Sequence, residues 1–502
     1  MVQGDGHLCG FKYLCGQYGG GFTVGNKIFK MSNFTKTVNY LKKNGVRHAY
    51  YAAKERIGEE KRSDYYYREP SGEELEAQSR ETADYSELFS IVVPAFETKE
   101  DFLREMIDSV CRQSYSGWEL VIADASDSDH VKRIVKDVID KMAEEDGRKR
   151  IKYIRLTENK GISGNTNAGI EAASGDYIAL LDHDDFLAPD ALYYMVDAVR
   201  DAKRQGTDPV LIYTDEDKFD SNNSYYISPH KKLEFNLDLI LSNNYVCHFM
   251  AVRADIMKNL QLRGEFDGAQ DYDLVLRIVN ELLKKVPITE LQKQVIHIPE
   301  ILYHWRCHAD STAENTASKS YAYEAGKAAL AQFCSEQGWC AEVEHGLHLG
   351  FYEITYLPDI LTVREDVGIV GGRILDSHNR ICGGAFDQKG ACMYEGLHKE
   401  YSGGSTHRAV LKQDVTAVDI RCMRVRPELW GEFKQIIGRR YEERTIRCKM
   451  GRTNREIRIA DLSGLTCDEA GYRKLSMELG NAAANKGYRV LWDPNVSVCT
   501  GK

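Results

Sequence analysis

From Phe89 onward the chain alternates two hydrophobic rhythms. FSIVVPAF is a short β-branched run, and the stretch from Asp101 to Gln113 then spaces its apolar residues as a helix does. WELVIAD repeats the strand pattern, and a helix is predicted from Asp129 to Met142. IKYIRL, a helix over Gly164 to Ala173 and the strand DYIALLD continue the series. Short buried strands separated by helices predict an open α/β sheet with mostly parallel strands. In such sheets ligands bind beyond the carboxyl ends of the strands. The loops starting at Pro94, Asp124 and Asp182 are therefore expected to converge on one cleft.

The rhythm changes at both ends. Residues 1–86 are polar, with a helix predicted over Val38 to Ile57 and then a charged stretch, KRSDYYYREPSGEELEAQSRETADYSE, that reads as an exposed helix or linker with a solvated face. Docking of its aromatic residues on a membrane or partner is the other reading. A helix over Ser320 to Gln337 closes the α/β region, and strand-like patterning resumes at GFYEITYL and VGIVGGRIL. The expected organisation is a helical extension at 1–86, an α/β domain at 87–320, a helical connector at 321–344 and a further domain at 345–502. Within the last, Arg439 to Arg458 carries eight Lys or Arg against three Glu. It reads as a solvated face, with phosphate or anionic lipid as the sharper alternative.

Composition narrows the classes. The length of 502 residues suggests about three domains. A formal charge of −10 argues against general nucleic-acid binding, and 43% hydrophobic residues are enough for packed cores. No window approaches a membrane-spanning apolar run, and the first residues lack a signal-peptide pattern, so a cytoplasmic protein is expected. The 13 Cys include no CxxC pair, which fits reduced thiols. His7, Cys9 and Cys15 lack a fourth ligand at zinc-finger spacing.

Three motifs carry candidate chemistry. LLDHDDF puts Asp182, His183, Asp184 and Asp185 directly after a buried strand. Carboxylates so close repel one another unless a cation neutralises them, and a hard divalent ion bridging a diphosphate suits oxygen ligands. The alternative, an N-cap cluster before a helix at Pro189 to Val199, is preferred for Asp190. GAQDYDLVLRI opens a helix with Asp271, which fits a rigidly held general base or a helix cap, while Asp273 reads as structural. LYHWRCHADST follows His297 with His304 and His308, one of which could complete a carboxylate metal site. His297 reads as structural, and Arg306 as a phosphate partner.

The ordered set FSIVVPAFET, WELVIADAS, NKGISGNTNAG, GDYIALLDHDD, YTDEDKFD, LSNNYVCHFMAVRADI, GAQDYDLVLR and ILYHWRCHADST resembles a bacterial family 2 glycosyltransferase of the GT-A fold. More narrowly it is similar to O-antigen and rhamnose-polysaccharide transferases, over about 89 to 320. The resemblance implies inverting, metal-dependent transfer from a nucleotide-diphosphate sugar, with Mn2+ or Mg2+, to a hydroxyl of a lipid-linked or polysaccharide acceptor. It places Pro94, Ala95 and Glu97 beside the nucleotide, Asp124 on the base, and Asp182 on the ribose with His183 next to it. Asp184 and His308 would hold the metal, Asn159, Gly161 and Asn167 would shape the donor loop, and Asp271 would be the base. Asp215, Glu216, Asp217, Asn244, Tyr245 and His248 lie between the donor and base motifs and are acceptor-side candidates. Glu97 stands where Asn is common, Ala125 where a second Asp often follows, and Gln270 where Glu commonly precedes the base.

EDVGIVGGRILDSHNRICGGAF and KGYRVLWDPNVSV resemble the latter half of a second such domain, without its acidic motifs. That domain reads as degenerate, serving packing or acceptor binding. A peripheral position at the inner face of a membrane follows from a lipid-linked acceptor. A nucleotidyltransferase and a non-catalytic glycan-binding scaffold are the rival classes. The first is disfavoured because PAFETKED lacks a Gly-rich basic loop, and the second because Asp182, Asp184 and Asp271 are all present.

Overall fold

The computed structural model describes residues 41, 44–55, 65–141, 150–307, 320–450 and 453–500. His7, Cys9, Cys15 and His308 lie outside the described residues. The chain divides into two units, 1–50 and 51–502. Of the first, the described residues are helical. The rest of the fold belongs to the second.

The alternation read from the sequence is present: β1 (Phe89–Ala95), α2 (Glu100–Cys111), β2 (Trp118–Asp124), α3 (His130–Lys141), β3 (Ile151–Arg155), α4 (Gly161–Ala172) and β4 (Tyr177–Leu180), after a short α1 (Gly72–Glu81). Ser71 and Glu74 cap α1 reciprocally, each accepting from the other's backbone N–H. After β5 (Phe186–Leu187) and α5 (Ala191–Arg204) come β6 (Leu211–Asp220), β7 (Tyr225–His230), β8 (Met250–Arg253), α6 (Gln270–Leu283) and β9 (Val295–Cys307). The sheet order is β3-β2-β1-β4-β8-β6-β9-β5, with β7 on β6. The half built from β3, β2, β1 and β4 is parallel, as expected. Beyond β4 the sheet is mixed, because β8 runs antiparallel to both β4 and β6.

The period-2 pattern sorts side chains to two faces. Ile91, Val93, Leu120 and Ile122 pack with Met106, Ile107, Val131 and Val196 of α2, α3 and α5. Val92 and Val121 face the other way, onto Ile170 of α4 and Leu274, Val275 and Ile278 of α6. That second core runs on through Leu330 and Phe333 of α7 (Ser320–Glu336) and into Tyr352, Ile354 and Tyr356. Packing therefore continues across the connector and into the start of the C-terminal region.

The remaining C-terminal sheet centres on Val367–Leu375, parallel to Arg489–Cys499, with Met423–Val425 and Ile381–Gly383 on one side and Gln413–Val415 on the other. A buried ionic cluster joins it to the first domain. Arg364, fully enclosed, lies 3.1 Å from Asp238 and 2.7 Å from Asp366, and Arg489 lies 2.7 Å from Asp238 and 2.9 Å from Asp366. The basic stretch near 439–458 forms a two-stranded hairpin, Glu443–Met450 with Thr453–Ala460.

The segment 65–86 is not simply a solvated face. Tyr65 donates its hydroxyl to Asp217 at 2.6 Å, and the Tyr67 ring packs 4.7 Å from Tyr226 and 4.5 Å from His304. Charged residues crowd these tyrosines in sequence, yet the rings carry enough apolar area to bury against the sheet.

Candidate active site

Register brings the predicted loops together. Ala95 lies opposite Asp124 in one ladder and Asp124 opposite Arg155 in the next, while Val92 pairs with Leu180, so the chain leaves β4 for Asp182 alongside Pro94. Asp124 is fully buried. It accepts from the Tyr153 hydroxyl at 2.6 Å, Arg155 Nη1 at 3.2 Å and the Ser126 N–H at 2.9 Å. Glu97, at a left-handed φ of 45°, ties the loop after β1 to the loop after β2. Its N–H donates to Ser126 Oγ, and its carboxylate accepts from the N–H and hydroxyl of Ser128, which hold it below the usual carboxylate range.

The α4 entrance is built on Asn159, whose Oδ1 accepts from the Gly161 N–H at 3.0 Å and from Asn165 Nδ2 at 2.9 Å. Gly161 takes φ +77°, and a Cβ there would stand 2.6 Å from Asp267 Oδ2. Asn167 acts at a distance from the loop. Its amide exchanges two 2.8 Å bonds with the backbone of Leu262, latching α4 to the segment before α6.

Asp182, His183 and Asp184 follow β4 and are half-buried. Burial pushes the Asp182 carboxyl above its ordinary value; His248 opposes the rise, Asp184 and Asp271 add to it, and His183 opposes it. These influences tie Asp182 to Asp271, 89 residues later in the chain by the numbering. Asp271 sits in the first turn of α6, where a carboxylate is favoured by the exposed N–H groups. Its Oδ2 accepts from Asn244 Nδ2 at 2.9 Å, and the Cys247 thiol is 3.7 Å away. His248 stacks on Tyr303 at 4.8 Å and meets Trp305 edge-on at 6.1 Å. Nδ1 of His183 is buried without a protein hydrogen-bond partner.

Several sequence candidates turn inward instead. Asp215 and Asp217, expected at the acceptor side, are 2% and 0% exposed. Asp215 Oδ1 accepts from the Lys232 N–H and pairs with His297 Nε2, each at 2.8 Å, while Asp217 Oδ1 pairs with His304 Nδ1 at 2.7 Å. Tyr245 is also buried, its hydroxyl accepting from the Asn236 N–H. The parallel pairing of β6 with β9 explains this, since it sets Asp217 opposite His304 inside the sheet. His297 is structural, as read. Arg306 is a correction: it is 2% exposed, donates through Nε to the Asp184 carbonyl at 2.6 Å, and lies over the rings of Phe102 and Phe186. Asp185 is buried and accepts from the Tyr303 hydroxyl and, at 2.7 Å, from the Arg306 N–H, so it braces the turn. Asp273, also structural, is held by Arg263 and Arg277.

Sequence reasoning missed Lys232 and Trp305. Lys232 has no exposed side-chain area and lies 3.4 Å from Glu216 Oε2. Burial would raise the Glu216 carboxyl, but Lys232, with His230 and His248, holds it down at about 2. Nothing in the polar run SPHKKLEF marks one lysine as internal. The half-buried Trp305 carries the Lys218 ammonium 4.9 Å over its ring; a lone Trp in a strand pattern gives no sign that it will meet His248.

Among the described residues no three His, Cys, Asp or Glu side chains converge as a complete metal cage. The donor set at the β4 end fits a partial one. Two half-buried carboxylates that repel each other offer hard oxygen ligands for Mg2+ or Mn2+, which take remaining ligands from water and substrate phosphates.

Residues 90–261 match the model of glycosyl transferase family 2. The O-antigen biosynthesis protein RfbC of Myxococcus xanthus is 34% identical over 258 residues, 51% of this chain and 19% of that protein. The GalNAc(5)-diNAcBac-PP-undecaprenol beta-1,3-glucosyltransferase of Campylobacter jejuni is 34% identical over 105 residues, 20% of this chain and 31% of that protein. The match thus spans less than a third of either relative's length. Among solved structures, TarS 1-349 of S. aureus in complex with UDP-GlcNAc aligns with 15% identity and a TM-score of 0.38, covering 50% of this chain and 66% of that one.

Proposed function

We propose that this chain, which carries a glycosyl transferase family 2 domain at residues 90–261, moves a sugar from a nucleotide-diphosphate donor to a hydroxyl of a growing, lipid-linked surface glycan. One observation carries the reading. The Asp271 carboxylate at the start of α6 lies near enough to act on the half-buried carboxyl of Asp182 at the end of β4, and Asn244 donates to Asp271. An activating base beside a site for the leaving diphosphate is what direct displacement at the anomeric carbon needs.

The residues divide the work as follows. Asp124, Glu97 and the Asn159–Gly161 turn shape the wall that receives the nucleotide. Asp182 and Asp184 supply oxygen ligands for a divalent ion, which when bound stabilises the charge of the departing diphosphate. Asp271 takes the proton from the acceptor hydroxyl; Asn244 occupies one lone pair of Oδ2 and so orients the carboxylate toward the incoming group. A single base on the acceptor side supports inversion, because attack and departure occur on opposite faces of the sugar. His248 and Trp305 offer ring faces for apolar sugar surface. The names of the two relatives, one for O-antigen biosynthesis and one for a PP-undecaprenol substrate, support a surface-glycan acceptor. No helix among the described residues is long and apolar enough to cross a membrane.

The test is a screen of nucleotide sugars with the full chain, with and without MnCl2, reading nucleoside diphosphate release and product on a polyprenyl-diphosphate-linked saccharide. Release that is donor-selective, Mn-dependent and lost in Asp271→Asn is expected. A chain that turns over no nucleotide sugar, or that instead joins a sugar phosphate to a nucleoside triphosphate, overturns the reading.

A further inference from the structure

The segment 244–248 lies against the Asp271 carboxylate. Asn244 donates to Asp271, the Cys247 thiol lies against the same carboxylate oxygen, and His248 acts on Asp182. It is not part of a regular element, since β8 begins only at Met250. Cys247 takes a left-handed φ of 35°, a conformation an L-residue holds only when its surroundings impose it. What imposes it comes from below. The Lys232 side chain is completely enclosed, and its Nζ donates to the Val246 carbonyl at 2.7 Å and to the His248 carbonyl, and pairs with Glu216 Oε2 at 3.4 Å. An ammonium has three protons, and these three acceptors account for them. Glu216 is in turn held by His230 Nδ1 at 3.1 Å, and the Lys232 backbone is fixed by Asp215.

We infer that Lys232 is a positioning residue for the transfer: its ammonium clamps the carbonyls of Val246 and His248 and thereby sets Asn244 and the Cys247 thiol against Asp271. The inference rests on the function proposed above for its catalytic meaning, while the clamp itself is a separate physical statement. A charge buried this deeply is costly, and two carbonyl acceptors plus one carboxylate are the compensation. Replacing it by an apolar chain of similar length removes two bonds to one loop and the pairing with Glu216 on β6, and leaves the core packing of Val246 and Phe249 largely in place.

Cys247 reports on the clamp without any substrate. In the full chain, Lys232→Met is expected to raise the iodoacetamide labelling rate of Cys247 by about tenfold or more, because the loop no longer holds the thiol against Asp271. Cys334, buried in the core behind α6, is expected to stay protected and so to mark an intact fold. With the nucleotide sugar that the screen identifies, kcat is expected to fall about tenfold or more with donor KM changed less than about threefold, since misplacing a base costs rate rather than donor affinity. Unchanged labelling of Cys247 in a folded Lys232→Met chain overturns the clamp. Should that variant not fold, Asn244→Ala decides: it must reproduce the kcat loss with donor KM kept, and a near-wild-type kcat overturns the positioning role. Asp271→Asn run alongside separates the two ideas, because an active Asp271→Asn chain removes the base assignment while the labelling result still judges the clamp.

Discussion

Asn244 Nδ2 donates to Asp271 Oδ2 at 2.9 Å, joining a loop residue to the first turn of a helix 27 positions later. That bond leaves the second carboxylate oxygen for a proton to be abstracted. It also gives the Asp271 side chain a partner outside the helix it opens.

Asp271→Asn is therefore expected to lower the transfer rate roughly 100-fold or more, the scale of positioned general-base catalysis, with donor binding retained. Steady-state kinetics beside donor titration calorimetry reads both. Equal loss of binding and rate would move the role of Asp271 from acceptor to donor.

Asp184→Ala removes a hard oxygen ligand from the end of β4. Divalent-dependent donor affinity should collapse while affinity without added metal stays as it was. Calorimetry with and without MnCl2 checks this, and a mutant that still gains affinity from Mn2+ contradicts it.

Gly161→Ala forces a Cβ to within 2.6 Å of Asp267 Oδ2 at a φ of +77°. Strain of about 1–3 kcal/mol at such a position should loosen the Asn159 turn. Donor KM is expected to rise with kcat little changed, as read from initial rates across donor concentration.

Glu216 is held at about 2, below its ordinary 4.5. A depressed carboxyl stabilises the fold fully above its unfolded value, and that contribution disappears as pH falls from about 4.5 toward 2. Urea midpoints at pH 7 and pH 3 should therefore differ more in the wild type than in Glu216→Gln, whose side chain has no charge to lose. Parallel losses in the two proteins would contradict the assignment.

Arg364→Met strips the fully enclosed cation from Asp238 and Asp366. Removing one member of a buried charge set costs up to about 3–5 kcal/mol, and Arg489, still beside both carboxylates, offsets part of that loss. Denaturant unfolding measures it. A loss below 1 kcal/mol on the scale of exposed pairs would show that the cluster is hydrated rather than enclosed.

The sequence by itself determined the half of the sheet that holds β1 to β4. Local periodicity carries that information: FSIVV and WELVIAD are buried on both faces, and the helix between them exposes one face. It also located the acidic turn after β4 and the carboxylate opening α6, because strand ends and helix starts are local features with local signals. Tertiary structure alone decided which polar residues look outward. Asp215, Asp217 and Asn244 are equally polar in the chain, yet strand pairing buries the first two against His297 and His304, while the loop before β8 sets the third on Asp271. Lys232 and Tyr65 are the same lesson from opposite ends of the scale. A lysine lies inside because three acceptors await it, and a tyrosine in a charged stretch docks because Asp217 accepts its hydroxyl. Partners of that kind come from residues 14 to 152 positions away, a distance at which no spacing rule along the chain reports which side chains will meet.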